Sequence, residues 1–190
     1  MRIRPTLIGL ALASLCPLLA EGPHDTWLAG FTVGVAVPQD TSKMELSSGT
    51  LTGNGIDQKT GVELGGAVQF LHSSDWNSRW GASYTIASPS FPVNTGNGLL
   101  SPHSATRDQL DLFGQAIYNF NPTWYGLAGL DYVSRKLVVG GTDLDDFHKV
   151  GFSVGAGLNL HAGTTRISPE ILYLKAGQEG VFKARVAFLF

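Results

Sequence analysis

The sequence predicts an all-β fold, an eight-stranded antiparallel up-and-down β-barrel that spans a membrane. Three observations lead to this prediction. Apolar and polar residues alternate in eight segments, each about as long as the 9–11 residues a membrane-crossing strand needs. The connections between these segments are alternately long and short. Charged residues make up 15% of the chain, whereas soluble proteins contain roughly 25%.

The last nine residues, FKARVAFLF, show the alternation most clearly. Phenylalanine, alanine and valine occupy every even position from Phe182 to Phe190, while Lys183 and Arg185 share the other face. A soluble barrel turns its apolar face inward, and a transmembrane barrel turns it outward to lipid. The predicted strands span residues 25–37, 60–71, 78–87, 107–120, 124–135, 147–160, 165–174 and 182–190.

The connections predict which end of the barrel faces the cell exterior. Long segments at 38–59, 88–106, 136–146 and 175–180 fit outer loops, and short ones at 72–77, 121–123 and 161–164 fit periplasmic turns. Aromatic residues of the apolar parity at the short-turn ends predict an interfacial girdle formed by Trp27, Phe70, Trp80, Phe120, Trp124 and Phe190. A looser outer girdle is predicted at Tyr84, Tyr132, Phe147 and Tyr173. The alternative folds are a soluble lipocalin-like barrel and an immunoglobulin-like sandwich. Neither has a reason to collect aromatic residues at one level.

The inward parity carries nine charged residues, four acidic and five basic: Glu63, Arg79, Asp111, Asp131, Lys149, Arg166, Glu170, Lys183 and Arg185. An eight-stranded barrel is just wide enough inside for side chains, and buried charges must be paired. The sequence therefore predicts a paired, plugged lumen rather than an open channel. A hairpin centred between residues 177 and 178 places Glu170 opposite Arg185, with Gly155 expected to leave space for the pair.

The N-terminus predicts a secretory signal peptide over residues 1–20, followed by one barrel domain over residues 21–190. Arg2 and Arg4 precede an apolar run at 7–15, and Ala20 is a small residue at a plausible cleavage point. Cys16 is the only cysteine. Leu15 before it does not suit a lipoprotein signal, so no disulfide, redox motif or lipid anchor is expected.

Candidate catalytic and metal-binding residues form no convincing site in the sequence. His72 and Ser73 are adjacent in a predicted periplasmic turn, and His148 lies near the outer rim without an obvious strand serine beside it. Asp143, Asp145 and Asp146 lack the spacing of an EF-hand loop. We therefore expect no enzymatic activity, no cofactor and no metal site. The chain also lacks the basic patch that nucleic-acid binding requires.

The strand pattern and the aromatic carboxy-terminus resemble the small eight-stranded bacterial outer-membrane β-barrels, in particular the OmpA/OmpX-like transmembrane domain. The resemblance covers residues 25–190. It implies an outer-membrane location in a Gram-negative-type bacterium, with Phe188 and Phe190 as the signal for the barrel assembly machinery. It also implies contact with outer-membrane lipid and lipopolysaccharide, while any surface ligand is unknown. The expected role is structural or surface-interacting. The alternatives are a narrow OmpW-like transport barrel for small or hydrophobic solutes and a lipid-modifying barrel enzyme.

Overall fold

A computed structural model describes residues 27–47, 49–52, 57–94, 100–139 and 142–190. The predicted signal peptide at 1–20 lies outside the described residues. The described chain forms twelve strands: β1 (Trp27–Pro38), β2 (Lys43–Leu46), β3 (Gly49–Thr52), β4 (Gly61–Leu71), β5 (Trp76–Ala87), β6 (Ser90–Asn94), β7 (Leu100–Asn119), β8 (Trp124–Val139), β9 (Thr142–Leu158), β10 (Leu160–Ala162), β11 (Thr165–Ala176) and β12 (Glu179–Leu189). Within these ranges, no helix is long and apolar enough to cross a bilayer.

Eight of the strands close into one antiparallel barrel, in the order β1, β4, β5, β7, β8, β9, β11 and β12. The short β10 continues the line of β9 and pairs with β11. The last strand closes the barrel on the first, from Pro38 opposite Val181 to Gly30 opposite Leu189. Beyond that ladder, the Phe190 N–H donates to the carbonyl of Ala29 at 2.9 Å. The predicted fold class is confirmed.

The register defines the width of the barrel. Each residue has a partner on the next strand, and these partners can be followed from Trp27 once around the eight strands. The path returns to β1 at Val37, ten residues further along the chain. With the usual strand spacing and rise, this stagger corresponds to a strand tilt of about 41° and a backbone radius of about 8 Å. Side chains from opposite walls can therefore meet at the barrel axis.

The two faces of the sheet have the inside-out polarity of a membrane barrel. Outward residues such as Leu64, Val150 and Ile171 are apolar and 61–69% exposed, whereas inward Glu63 and Asp111 are fully buried. This arrangement follows from the strict alternation in strands such as β9. An exposed apolar surface of this extent is suited to lipid and would be unfavourable in water.

The barrel strands continue beyond the predicted boundaries on the outer side. The predicted loop 136–146 is mostly strand, with Lys136 opposite Asp146 across β8 and β9. The predicted loop 38–59 contains the β2–β3 hairpin, and the loop 88–106 contains β6 paired with β7. The connection predicted at 175–180 is a two-residue turn with Gly177 at a φ of 60°. Polar strand extensions above a membrane lack the apolar alternation that marks the spanning part, so the pattern missed them.

The aromatic girdle differs from the prediction at one position. Trp27, Phe70, Phe120, Trp124 and Phe190 lie near the periplasmic end, but Trp80 does not, because β5 begins at Trp76 and the preceding turn is shorter than predicted. By rise and tilt, Trp80 lies about 11 Å above Trp27. Trp76 takes its place at the rim, with its ring 4.9 Å from that of Tyr118.

Phe147 also departs from the predicted outer girdle. It shares the inward parity of Ser153 and is 1% exposed. Its ring packs under the Arg135 guanidinium, with 4.3 Å between the guanidinium carbon and the ring centroid. Phe147 is therefore part of the lumen, while Tyr132 keeps the outward orientation expected of a girdle residue.

Candidate functional site

The lumen contains a network of ion pairs centred on Glu170 of β11. One carboxylate oxygen of Glu170 accepts a hydrogen bond from Arg185 Nε at 2.7 Å. The other oxygen accepts hydrogen bonds from Arg79 and from the Tyr125 hydroxyl. Arg79 also donates to Gln69 Oε1 at 2.9 Å. A single buried carboxylate thus binds two guanidinium groups, which charge-assisted hydrogen bonds hold in place.

The register at this position confirms the predicted pairing of Glu170 with Arg185 across β11 and β12. The accompanying expectation for Gly155 is wrong, because Gly157 is the β9 residue opposite Glu170. A Cβ atom at Gly157 would lie 2.4 Å from the Tyr125 hydroxyl oxygen. The absent side chain therefore makes room for Tyr125, a hydrogen-bond partner of Glu170 that was not predicted from the sequence.

A second group of ion pairs lies nearer the outer side and is centred on Lys183. Its ammonium contacts Asp111 Oδ2 at 2.6 Å and also pairs with Glu63. Gln109 donates to Asp111 at 2.9 Å. Arg185 Nη1 lies 3.9 Å from Glu63 Oε1 and so connects this group to the one around Glu170.

Two of these ion pairs cross the full width of the barrel. Arg79 on β5 and Glu170 on β11 belong to strands four places apart in the ring of eight, as do Asp111 on β7 and Lys183 on β12. Strands four places apart lie on opposite walls. The two pairs therefore span the lumen at two successive levels, and all four side chains are at least 97% buried.

The remaining predicted lumen charges differ in their surroundings. Asp131 is buried, and its Oδ2 atom has no hydrogen-bond partner among the described residues. Arg166 is only partly buried and lies at the periplasmic end, opposite Leu189. The prediction that Lys149 is a buried lumen charge is wrong, because its side chain is 48% exposed at the outer mouth. Its parity is inward, but it lies above the level where the lumen is filled.

Part of the first outer loop folds into the outer mouth of the barrel. We call residues 43–47 and Gln58 the mouth cap. Met44 is fully buried in a cluster with Ala105 and Leu137. The Glu45 backbone N–H donates to Glu179, and its carbonyl accepts from Arg135, which also forms an ion pair with Glu179.

The mouth cap has a second attachment, through Gln58. Gln58 is buried, donates to the carbonyl of Lys43 and accepts a hydrogen bond from Arg107. Arg107 and Arg135 are lumen residues that were not predicted from the sequence. Arg135 has the same inward parity as Asp131 on β8, and this alternation could have identified it as a lumen residue. A small cavity of about 10 Å³ remains beside Arg135 and Phe147, room for about one water molecule.

The histidine near the outer rim has neighbours that the sequence pattern did not reveal. Ser134 lies directly opposite His148 in the register. However, the two ring nitrogens of His148 contact other groups, with Nδ1 3.3 Å from the Tyr132 hydroxyl and Nε2 3.4 Å from Asp146 Oδ1. His148 and Tyr132 are about half exposed on the outer surface of the barrel, and Asp146 is 72% exposed.

The three acidic residues near this rim do not converge. Asp143 forms an ion pair with Lys136 at 2.6 Å, and Asp145 accepts hydrogen bonds from Ser47, including one from its backbone N–H at 2.9 Å. Among the residues that the structure describes, no three histidine, cysteine, aspartate or glutamate side chains are grouped to hold a metal ion.

Comparison with known proteins agrees with this geometry at the level of the fold. No protein-family model matches the sequence, and no curated protein is similar enough to indicate a function. The outer membrane protein OprG from Pseudomonas aeruginosa has a similar structure, with a TM-score of 0.55 and 12% identity over 86% of this chain and 94% of its own. Neisserial surface protein A gives a TM-score of 0.50 and 14% identity over 89% of this chain and 98% of its own. The fold of this chain is that of the small eight-stranded outer-membrane β-barrels.

Proposed function

We propose that this chain is a non-enzymatic outer-membrane barrel with a plugged lumen and a structural or surface-interaction role. The observation that carries the proposal is the pair of ion bridges between opposite walls, Arg79 with Glu170 and Lys183 with Asp111. These buried charges engage one another rather than a substrate.

The dimensions of the outer surface support a membrane location. By rise and tilt, Tyr132 of the outer rim lies about 22 Å above Trp27 of the periplasmic rim. The exposed surface between these levels is apolar, with residues such as Leu112 and Val154. Outer-membrane barrels have an apolar band about 25 Å tall between two aromatic levels. The proposal includes Phe188 and Phe190 as the assembly signal, because Phe188 lies on the strand that closes the barrel and Phe190 directly follows it, hydrogen-bonded to Ala29 of β1.

The filled interior argues for a role on the outer surface rather than in transport. An ion that crosses the lumen would have to separate two pairs of buried opposite charges, and breaking one buried pair costs about 3–5 kcal/mol. The mouth cap adds a further layer above these pairs through Glu45 and Arg135. The surface that remains for contact is the outer rim with its hairpins, which face other molecules outside the cell.

Single-channel recording in planar lipid bilayers tests the proposal. The refolded wild-type barrel is expected to insert without unitary conductance steps. Alanine substitution of Arg79, Glu170, Lys183 and Asp111 together removes both opposite-wall pairs in balanced charge, and we expect this variant to conduct. Insertion is checked by the mobility difference between heated and unheated samples on SDS gels. Reproducible conductance steps from the wild type would instead support the narrow transport barrel.

A further inference from the structure

A polar groove of about 460 Å³ opens at the outer rim, beside the seam where β12 closes on β1. One wall is the end of β1 and the chain that follows it, and the other is the β11–β12 turn. Its lining includes Gln39, Asp40, Thr41, Lys43, Lys175 and Gly180. The Gln39 N–H donates to the carbonyl of Gly180 at 2.8 Å, which joins the two walls at the base.

Two lysines, one on each wall, provide the positive charge in this groove. Lys175 Nζ donates to the carbonyl of Gln178 at 3.0 Å and has no carboxylate partner among the described residues. Lys43 Nζ lies 3.2 Å from Asp40 Oδ2. Asp40 also accepts hydrogen bonds from the Ser42 hydroxyl and backbone N–H, and these bonds, with Lys43, lower the pKa of Asp40. Asp40 is therefore already satisfied, and Glu179, the other acid of the lining, is paired with Arg135. The charge of Lys175 is available to a ligand.

The groove also presents an amide group that can bind a sugar. The Tyr173 hydroxyl donates to Gln39 Oε1 at 2.7 Å, which fixes the orientation of the Gln39 amide. The amide NH₂ group of Gln39 can then act as a donor to a hydroxyl or phosphate oxygen. Thr41 adds a hydroxyl that both donates and accepts.

The surface directly below the groove is apolar and faces lipid. Lys175 has the outward parity of Tyr173 and Ile171, and Ile171 is 69% exposed. The ring centroids of Tyr173 and Phe182 lie 5.0 Å apart just below the groove. A ligand bound here therefore meets cations and amides at its upper end and an aromatic, apolar wall at its lower end.

We propose that this groove binds the phosphorylated sugar headgroup of a glycolipid in the outer leaflet. This inference rests on the proposed membrane location. The phosphate contacts the ammonium groups of Lys175 and Lys43, because lysine binds phosphate as a compact point charge. The sugar hydroxyls contact Gln39 and Thr41, and an acyl chain lies along Phe182 and Ile171.

Native mass spectrometry of the barrel in lipid nanodiscs that contain bisphosphorylated lipid A tests this site. The wild type is expected to retain one lipid A molecule, and Lys175→Gln to bind it about tenfold more weakly, since it loses a charged hydrogen-bond donor. Lys136→Gln is the matched control, because Lys136 is an exposed lysine of β8 that does not line the groove and is already paired with Asp143. It is expected to bind like the wild type.

Two further probes distinguish a lipid headgroup from a free phosphate. Dephosphorylated lipid A is expected to bind at least tenfold more weakly than the phosphorylated form, and free glucosamine 1-phosphate to show no stable binding because it lacks acyl chains. Equal binding by wild type and Lys175→Gln, an equal loss in Lys136→Gln, or equal binding of dephosphorylated lipid A would overturn the inference. A chain that forms no heat-modifiable barrel in lipid would instead contradict the proposed function.

Discussion

The Glu170→Gln substitution is the sharpest test of the lumen network. Glutamine keeps nearly the volume of glutamate, so the change removes charge without creating a cavity. It leaves two buried guanidinium groups, those of Arg79 and Arg185, without their shared carboxylate. Removing one partner of a buried ion pair costs about 3–5 kcal/mol. Because two cations lose their partner here, we expect a loss of unfolding free energy at the upper end of that range.

The opposite substitution is expected to cost less. Arg185→Gln leaves Glu170 still bound to Arg79 and Tyr125, so the carboxylate stays neutralised. We expect a loss of about 1–3 kcal/mol, the value of charged hydrogen bonds. The double variant should lose at least 1 kcal/mol less than the sum of the two single losses, because the second substitution relieves part of the first.

Urea unfolding in lipid vesicles, followed by the fluorescence of the four tryptophans, measures these differences. Lys149→Gln is the control for charge, since that side chain is about half exposed and its ammonium comes no closer than 3.9 Å to the Glu45 carboxylate. It should change the unfolding free energy by less than about 1 kcal/mol. Additivity of Glu170→Gln and Arg185→Gln within about 0.5 kcal/mol would refute the coupling.

Further substitutions test three features: the lipid face, the packing around Tyr125 and the mouth cap. Val154→Arg should cost about 2–4 kcal/mol in vesicle unfolding and Val150→Arg, about 10 Å nearer the outer rim, only about 0–1 kcal/mol; equal costs would contradict the proposed position in the membrane. Gly157→Ala should destabilise the barrel by about 1–3 kcal/mol through overpacking. Gly126→Ala on the lipid face should stay within about 0.5 kcal/mol, because its new Cβ would closely approach only the exposed Phe120 ring, at 3.1 Å, which is free to shift; a neutral Gly157→Ala would contradict the close approach. Arg135→Gln should speed limited proteolysis within residues 39–60 about tenfold by freeing the mouth cap, and an unchanged cleavage rate would show that this arginine does not hold it.

Local alternation was enough to determine the fold class and most of the lumen residues. The period of two assigns each strand residue to one face, and the inside-out composition of strands such as β12 indicates lipid rather than water outside. The Glu170–Arg185 pairing could also be predicted, because a tight hairpin fixes the register of its two strands. Errors arose where a boundary was displaced, as at Trp80, where an earlier start of β5 moved the girdle position to Trp76.

Contacts between distant strands were decided only by the tertiary structure. Arg79 and Glu170 are 91 residues apart, and they meet because eight strands with a stagger of ten residues bring opposite walls within side-chain reach. The mouth cap likewise joins Glu45 to Arg135 across 90 residues. Alternation records which face a side chain occupies but not its height or its partner across the barrel. Those depend on the closure of the ring, a property of all eight strands together and of no single segment.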